Sequence, residues 1–254
     1  MFQQNIAFIL VRPSEPGNVG AAARVMKNFG FTDLRVVAPE IEFQESEDKW
    51  MAVGAYDLIE KCQNFASLAE AIADVSMAIG TTSARFRAVQ PLPFTEICAE
   101  ATGVAKANKV AWVFGNERNG LTFEELERCH STTCVPTEAE FPVLNVAQAV
   151  SIVAYEACRS QSAFSAATGA DLPKTMPTGK DEDQLFDRVD KLVKKVNFTR
   201  EFNHTQVLRE LRSAYQRMRP TVREYGLLNG LVLRLYDRIS PRSPKDKTKD
   251  AKRS

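Results

Sequence analysis

Val110-Ala111-Trp112-Val113-Phe114-Gly115-Asn116-Glu117-Arg118-Asn119-Gly120-Leu121 is the stretch on which the reading of this chain turns. Its five leading apolar residues fall far short of the roughly 20 that a membrane helix needs. They are also too uniform for a strand with one wet face. They read as a short strand covered on both sides by helices, and the glycine and polar residues behind them mark the loop at its carboxyl end. Residues 6–11, 34–38, 75–80 and 132–135 have the same character. Between these segments, apolar residues at helical spacing predict helices over 19–29, 49–61, 67–74, 95–106, 122–129 and 145–161. Thr122-Phe123-Glu124-Glu125 has the form of a capping box at the start of one of them. Strands alternating with helices predict an α/β domain over residues 1–161, a mainly parallel sheet with flanking helices.

Beyond residue 161 the character changes. Small and polar residues, then Pro173, Pro177 and Gly179, read as a linker over 162–180. Three amphipathic patterns follow: Leu185, Val189, Leu192, Val193 and Val196, then Val207, Leu208, Leu211, Tyr215 and Met218, then a helix over about 221–239 with Pro220 read as its first turn. They make residues 181–240 a C-terminal helical extension. Residues 241–254 are rich in Pro, Lys and Asp and read as a disordered basic tail.

Composition narrows the field of functions. The chain has 254 residues, 44% hydrophobic and 26% charged, ample for a packed core. No basic segment precedes the first apolar run, so no secretory signal is expected and no membrane partner. Five cysteines without a CxxC pair read as reduced thiols of a cytoplasmic protein, and two distant histidines complete no ligand cluster, so no metal site is expected. The net charge of +1 divides unevenly: residues 161–254 carry 20 Lys and Arg against 12 Asp and Glu, which leaves 13 against 20 for residues 1–160. An acidic body with a basic appendage is the pattern of a nucleic-acid-binding extension, although a solvated helical surface has the same composition.

In open α/β sheets, ligands bind beyond the carboxyl ends of the strands. The dinucleotide fingerprint, the P-loop and the nucleophile elbow are all missing from these positions. Three other junctions are rich in small and polar residues. The first is Pro16-Gly17-Asn18-Val19-Gly20-Ala21-Ala22-Ala23-Arg24, where the glycines permit close backbone approach. Asn18 and Arg24 lie six apart, so one regular helix cannot point both the same way. Asn18 is therefore read as a loop or cap residue and Arg24 as lying a turn or more inside the helix. The second junction, Thr81-Thr82-Ser83-Ala84-Arg85-Phe86-Arg87, offers hydroxyls and two arginines suited to ribose and phosphate. The third joins Glu117 in the loop 114–121 to Leu144-Asn145-Val146-Ala147 at a helix start. Each has an ordinary explanation as a cap, a polar turn or a salt-bridged glutamate. Their order along one chain is the specific signal.

N-x-G-x-x-x-R at Asn18, Gly20 and Arg24, F-G-x-E-x-x-G-L from Phe114 to Leu121, and L-N-V-A from Leu144 to Ala147 resemble the three motifs of the SpoU/TrmH branch of the SPOUT RNA methyltransferases. The resemblance covers residues 5–160. Thr82-Ser83-Ala84-Arg85, and Arg217-Met218-Arg219-Pro220 followed by Leu227-Leu228-Asn229-Gly230-Leu231, are similar to members that methylate the ribose 2′-hydroxyl of cytidine or uridine at anticodon-loop position 32 of tRNA. The resemblance implies a SPOUT-type sheet with a deep trefoil knot, a homodimer with its sites at the subunit interface, and tRNA as substrate. It implies S-adenosylmethionine as cofactor, held by Thr82, Ser83, Ala84, Gly115, Val135, Val143, Leu144 and Asn145. It makes Asn18, Arg24, Glu117 and Asn145 the catalytic group, with Arg24 acting on the 2′-oxygen. A guanidinium stays protonated, so Arg24 is read as a fixed cation as readily as a proton acceptor. Arg85, Arg87, Arg209, Arg212, Arg217 and Arg219 are the expected RNA contacts. One departure stands out: the third motif usually reads S-L-N, and this chain has Val143 in place of the serine. A non-catalytic member that binds RNA or cofactor alone is the alternative which that departure keeps open.

Overall fold

The computed structural model describes residues 2–40, 51–83, 90–167 and 174–239, with residues 161–167 as backbone only. In chain order the first part of the fold comprises β1 (Ile6–Val11), α1 (Pro16–Asn28), β2 (Asp33–Val37), α2 (Tyr56–Glu60), β3 (Gln63–Phe65), α3 (Leu68–Ala71), β4 (Met77–Thr82), α4 (Phe94–Val104), β5 (Val110–Phe114), α5 (Phe123–Arg128), β6 (Ser131–Cys134) and α6 (Val146–Ala167). The strands form one sheet in the order β3-β2-β1-β5-β4-β6, and every pairing is parallel.

Burial explains why the strands are apolar at nearly every position. Ile6, Phe8 and Leu10 point into a cluster with Val19, Ala23, Met26, Ile97, Val150 and Val153 from α1, α4 and α6. The alternate residues Ala7, Ile9 and Val11 join Leu68, Ala71 and Leu126 from α3 and α5 on the other face. A strand sandwiched in this way has no wet side. Arg35 is the exception, buried in β2. Asp33 and Asp74 pair with its guanidinium, which also donates to the Ala71 carbonyl. A buried cation is tolerated when it is paired and hydrogen-bonded in this manner.

The register fixes where chemistry can occur. Leu10 of β1 lies opposite Phe114 of β5, and Val113 lies opposite Gly80 of β4. The loops that leave β1, β4 and β5 therefore emerge together at one edge of the sheet.

Several boundaries differ from the sequence reading. β3 is an added edge strand, hidden because only Phe65 of Gln63-Asn64-Phe65 is apolar and packs against the core, while Gln63 and Asn64 stay exposed. Of the helix expected over 49–61, α2 is only Tyr56–Glu60, and residues 49 and 50 lie outside the described residues. α6 continues to Ala167, into the segment read as linker, because Ser162-Ala163-Phe164-Ser165-Ala166-Ala167 is compatible with helix. Farther along that segment the chain is tied to the sheet domain. Asn108 donates to the Lys174 carbonyl at 2.9 Å and accepts from the Met176 N–H at 2.7 Å, and the Gly179 N–H donates to the Val75 carbonyl at 2.7 Å.

The chain divides into two compact units, Met1–Lys180 and Asp181–Ser254. The second contains α7 (Gly179–Lys195, which starts just before the division), α8 (His204–Met218) and α9 (Val222–Ile239). Leu185, Phe186 and Tyr215 form its small core, with Val189, Leu228 and Val232 packed against them. Pro220 stands before α9 and not in its first turn. Thr221 caps that helix, its hydroxyl accepting from the Glu224 N–H at 3.3 Å. Residues 240–254, which include the expected basic tail over 241–254, lie outside the described residues. No helix among the described residues is long and apolar enough to cross a membrane.

Candidate functional site

Two loops at the carboxyl edge of the sheet are locked to each other. After β1, Arg12 adopts φ +50°. Its carbonyl accepts from Asn116 Nδ2 at 2.6 Å, and its guanidinium donates to the Gly120 carbonyl and pairs with Glu125. Within the β5 loop, Asn116 is buried, its Oδ1 accepts from the Arg118 N–H, and its carbonyl accepts from the Gly120 N–H, both at 2.8 Å. Gly120 turns the chain at φ +67°, a conformation that favours glycine. The fold back is so tight that a Cβ on Gly115 would lie 2.1 Å from the Gly120 carbonyl carbon and the Leu121 nitrogen.

The β1 loop then enters α1, with Pro16 at the first helical position. Asn18 consequently sits in the first turn of α1, which corrects its reading as a loop or cap residue. Its Nδ2 donates to Glu117 Oε1 at 3.0 Å, and its Oδ1 accepts from Asn145 Nδ2 at 2.8 Å. Asn145 is held in turn by the start of α6, where its Oδ1 accepts from the Ala147 N–H at 2.8 Å. Thus Asn18, Glu117 and Asn145, one from each junction, form a single hydrogen-bonded chain.

A fourth member was not legible in the sequence. Ser14 donates to Glu117 Oε2 from its N–H at 3.0 Å and from its hydroxyl at 2.9 Å. Its setting, Arg12-Pro13-Ser14-Glu15-Pro16, reads as an ordinary turn, and only the position of that turn at a strand's carboxyl end hints at a site.

Burial alone would raise the Glu117 pKa, but the hydrogen bonds from Ser14 and Asn18 outweigh it and hold the carboxyl below the usual range. A carboxylate with a depressed folded-state pKa contributes stability above its unfolded pKa, and that contribution is lost as the pH falls through the folded value. Ser14→Ala is therefore expected to lower the unfolding free energy at pH 7 by about 1.5–3 kcal/mol, as for a hydrogen bond to a charged group. Denaturant titrations at several pH values should show this deficit shrinking below about pH 4.3, where the unfolded glutamate protonates. A deficit independent of pH would mean that Ser14 does not act through the carboxylate.

Arg24 does not join this network within its own chain. It lies exposed on α1, about a third of a turn away from Asn18 at roughly 100° per residue.

Beside the network opens a cavity of about 200 Å³. Six of the expected cofactor-binding residues line it: Thr82, Ser83, Gly115, Val135, Val143 and Leu144. Leu121, Pro142 and residues 116–120 complete much of the wall. Asn145 is not in the wall. Ala84, Arg85 and Arg87 lie outside the described residues. The wall sets polar loop backbone against the apolar side chains of Leu121, Val135 and Leu144, a surface suited to a flat heterocycle with polar substituents. Val143 is half-exposed there and brings no hydroxyl.

The arginines of the second unit differ in their surroundings. Arg209 and Arg217 are exposed, and Arg217 donates to the Ser213 hydroxyl at 2.8 Å. Arg219, partly buried, ends α8 at φ +47°. Arg212 differs from the outward-facing contact expected of it. Its guanidinium pairs with Glu182 at 3.0 Å and Asp183 at 2.9 Å and lies 4.7 Å from the Phe186 ring centroid, so it is built into the unit's own packing.

The SpoU rRNA methylase family model matches residues 5–155. Among curated relatives, a tRNA (cytidine/uridine-2′-O-)-methyltransferase TrmJ of Salmonella typhimurium is 35% identical over 236 residues, covering 90% of this chain and 95% of the relative. The protein of the same name from Yersinia pestis is 34% identical and 90% of each chain is covered. Among solved structures, TrmJ from Z. mobilis ZM4 superposes with a TM-score of 0.76 at 27% identity, over 90% of this chain and 98% of that one. A probable methylase family protein from Haemophilus influenzae Rd KW20 gives a TM-score of 0.61 at 31% identity, over 93% and 98%.

Proposed function

The chain belongs to the SpoU rRNA methylase family, and on that premise we propose that it is an S-adenosylmethionine-dependent 2′-O-ribose methyltransferase acting on tRNA in the cytoplasm. The observation that carries the reading is the hydrogen-bonded chain Ser14–Glu117–Asn18–Asn145 beside the cavity. It unites three sequence motifs in one place and leaves a charged carboxylate at the centre.

The residues of the cavity fit the cofactor. Leu121, Val135 and Leu144 offer apolar surface to an adenine ring, while Thr82, Ser83 and the backbone at Gly115 and Val143 offer polar partners to a ribose and an amino-acid tail. Bound there, S-adenosylmethionine supplies an electrophilic methyl group on a cationic sulfur. The chain's own task is to align a ribose with it and to stabilise charge on the 2′-oxygen. Alignment of two reacting groups can supply about 7–11 kcal/mol of the barrier. Glu117, fixed by Ser14, orients Asn18, and Asn18 orients Asn145, so the amides present a rigid polar edge to the substrate. Arg24 acts as a fixed cation near the developing oxyanion.

An exposed Arg24 that lies off its own network supports a homodimer in which a second copy completes the site. Sedimentation of residues 1–180, one of the two compact units, is expected to give a dimer; an active monomer would remove the shared site. The family's deep trefoil knot belongs to the same reading. It is supported by the path from β6, at the sheet edge, to Asn145, which reaches Asn18 on α1 beyond β4 and β5.

The finer substrate assignment is cytidine or uridine at anticodon-loop position 32. Mass spectrometry of ribose-methylated nucleosides in tRNA from cells lacking this protein tests it. Loss of 2′-O-methylcytidine or 2′-O-methyluridine at that position supports the assignment, and an unchanged pattern refutes it.

A further inference from the structure

Phe198 and Phe202 are 68% and 82% exposed, more than any other apolar side chain described in the second unit. Both lie on the connection between α7 and α8, which is held in one shape. Asn197 turns it at φ +51°, and the Phe198 N–H donates to the Val193 carbonyl at 3.1 Å. His204 pairs through Nδ1 with the Thr199 hydroxyl at 2.7 Å and through Nε2 with Asp190 at 2.6 Å. The Arg200 N–H donates to Asn203 Oδ1 at 2.8 Å.

Two aromatic rings displayed in water on a hydrogen-bonded turn have no role in the unit's own packing. The charge around them indicates what they meet. Residues 190–204 hold Lys191, Lys194, Lys195 and Arg200 against Asp190 and Glu201, and Lys194 pairs with Asp190 at 2.8 Å, which leaves a net positive turn. Protein interfaces are depleted in lysine, whereas surfaces that bind single-stranded nucleic acid combine cations with aromatic platforms. Unpaired loop bases present their faces to such rings, and bases in a duplex do not.

We propose that the α7–α8 turn is a stacking platform for unpaired nucleobases of the RNA substrate, with Phe198 and Phe202 each taking a base face and Arg200 facing the adjoining phosphate. This rests on RNA being the substrate, and it adds a reader of unpaired bases that the arginines of the extension, as phosphate contacts, do not supply.

The test uses the full chain with two labelled RNAs, a stem–loop with a seven-nucleotide loop and a fully paired duplex of the same stem. Phe198→Ala and Phe202→Ala should each weaken stem–loop binding by about tenfold or more, leave duplex binding unchanged, and preserve the salt slope. Phe202→Tyr should retain affinity and Phe202→Leu should not, since leucine keeps apolar bulk without a π-face. Equal losses on both RNAs, full rescue by leucine, or a changed sedimentation coefficient, which would mark a protein contact, would each overturn the platform. Failure of the unaltered protein to bind either RNA would instead refute the tRNA reading on which the platform stands.

Discussion

Arg24→Ala is expected to reduce single-turnover methyl transfer by about 100-fold or more, near 3 kcal/mol of barrier, the scale seen when one oxyanion-stabilising group is removed. Affinity for S-adenosylhomocysteine should stay close to that of the parent, because Arg24 is on α1 and the cavity wall is built from other elements. Arg24→Lys should keep part of the rate, since lysine preserves the charge and loses the planar fork. A mixed dimer separates a shared site from a self-contained one. When Arg24→Ala and Asn18→Ala subunits are combined, a site that takes Arg24 from one copy and Asn18 from the other leaves one of two sites intact. A site drawn from a single chain leaves none. Activity restored in the mixture supports the shared arrangement, and no restoration contradicts it.

Gly115→Ala should be more damaging to the fold than any surface change. The added methyl would lie 2.1 Å from two backbone atoms, so no side-chain rotation can relieve the contact. The loop must open, and with it go the hydrogen bonds that join Asn116 to Arg12 and Gly120 to Asn116. A loss of about 3 kcal/mol or more is expected, or roughly 6–12 °C in melting temperature for a protein of this size, together with loss of S-adenosylhomocysteine binding in calorimetry. Gly226→Ala in α9 is the matched control. Nothing lies within 4 Å of its new Cβ, so alanine should be neutral or stabilising there through helix propensity. Parent-like melting and binding by Gly115→Ala would mean that the loop is far looser than its geometry indicates.

The sheet was legible because its central strands are covered on both faces, which leaves an apolar signature in the sequence. β3 was not, since a single packed side chain, Phe65, leaves no apolar pattern in a strand of three residues. The three junctions were legible from residue type and order, and the structure joins Asn18, Glu117 and Asn145 directly. Ser14 was not, because a serine between prolines in a turn carries no signal until Glu117 is brought to it from 103 positions away. Arg212 shows the converse. Its charge looked available from sequence, and tertiary folding places Glu182 and Asp183 around it. Phe198 and Phe202 carry no signal in the sequence, because aromatic residues beside a helix pattern are ordinarily core, and only their exposure distinguishes them.

Ribose methylation of tRNA is tested most directly by supplying the purified protein with S-adenosylmethionine and an unmodified tRNA transcript, then analysing the product by oligonucleotide and nucleoside mass spectrometry. A 2′-O-methylated cytidine or uridine in the anticodon loop is expected, formed by the parent and nearly absent with Arg24→Ala. A methyl group on a base, or no methylated nucleoside despite measurable S-adenosylhomocysteine binding, would contradict it.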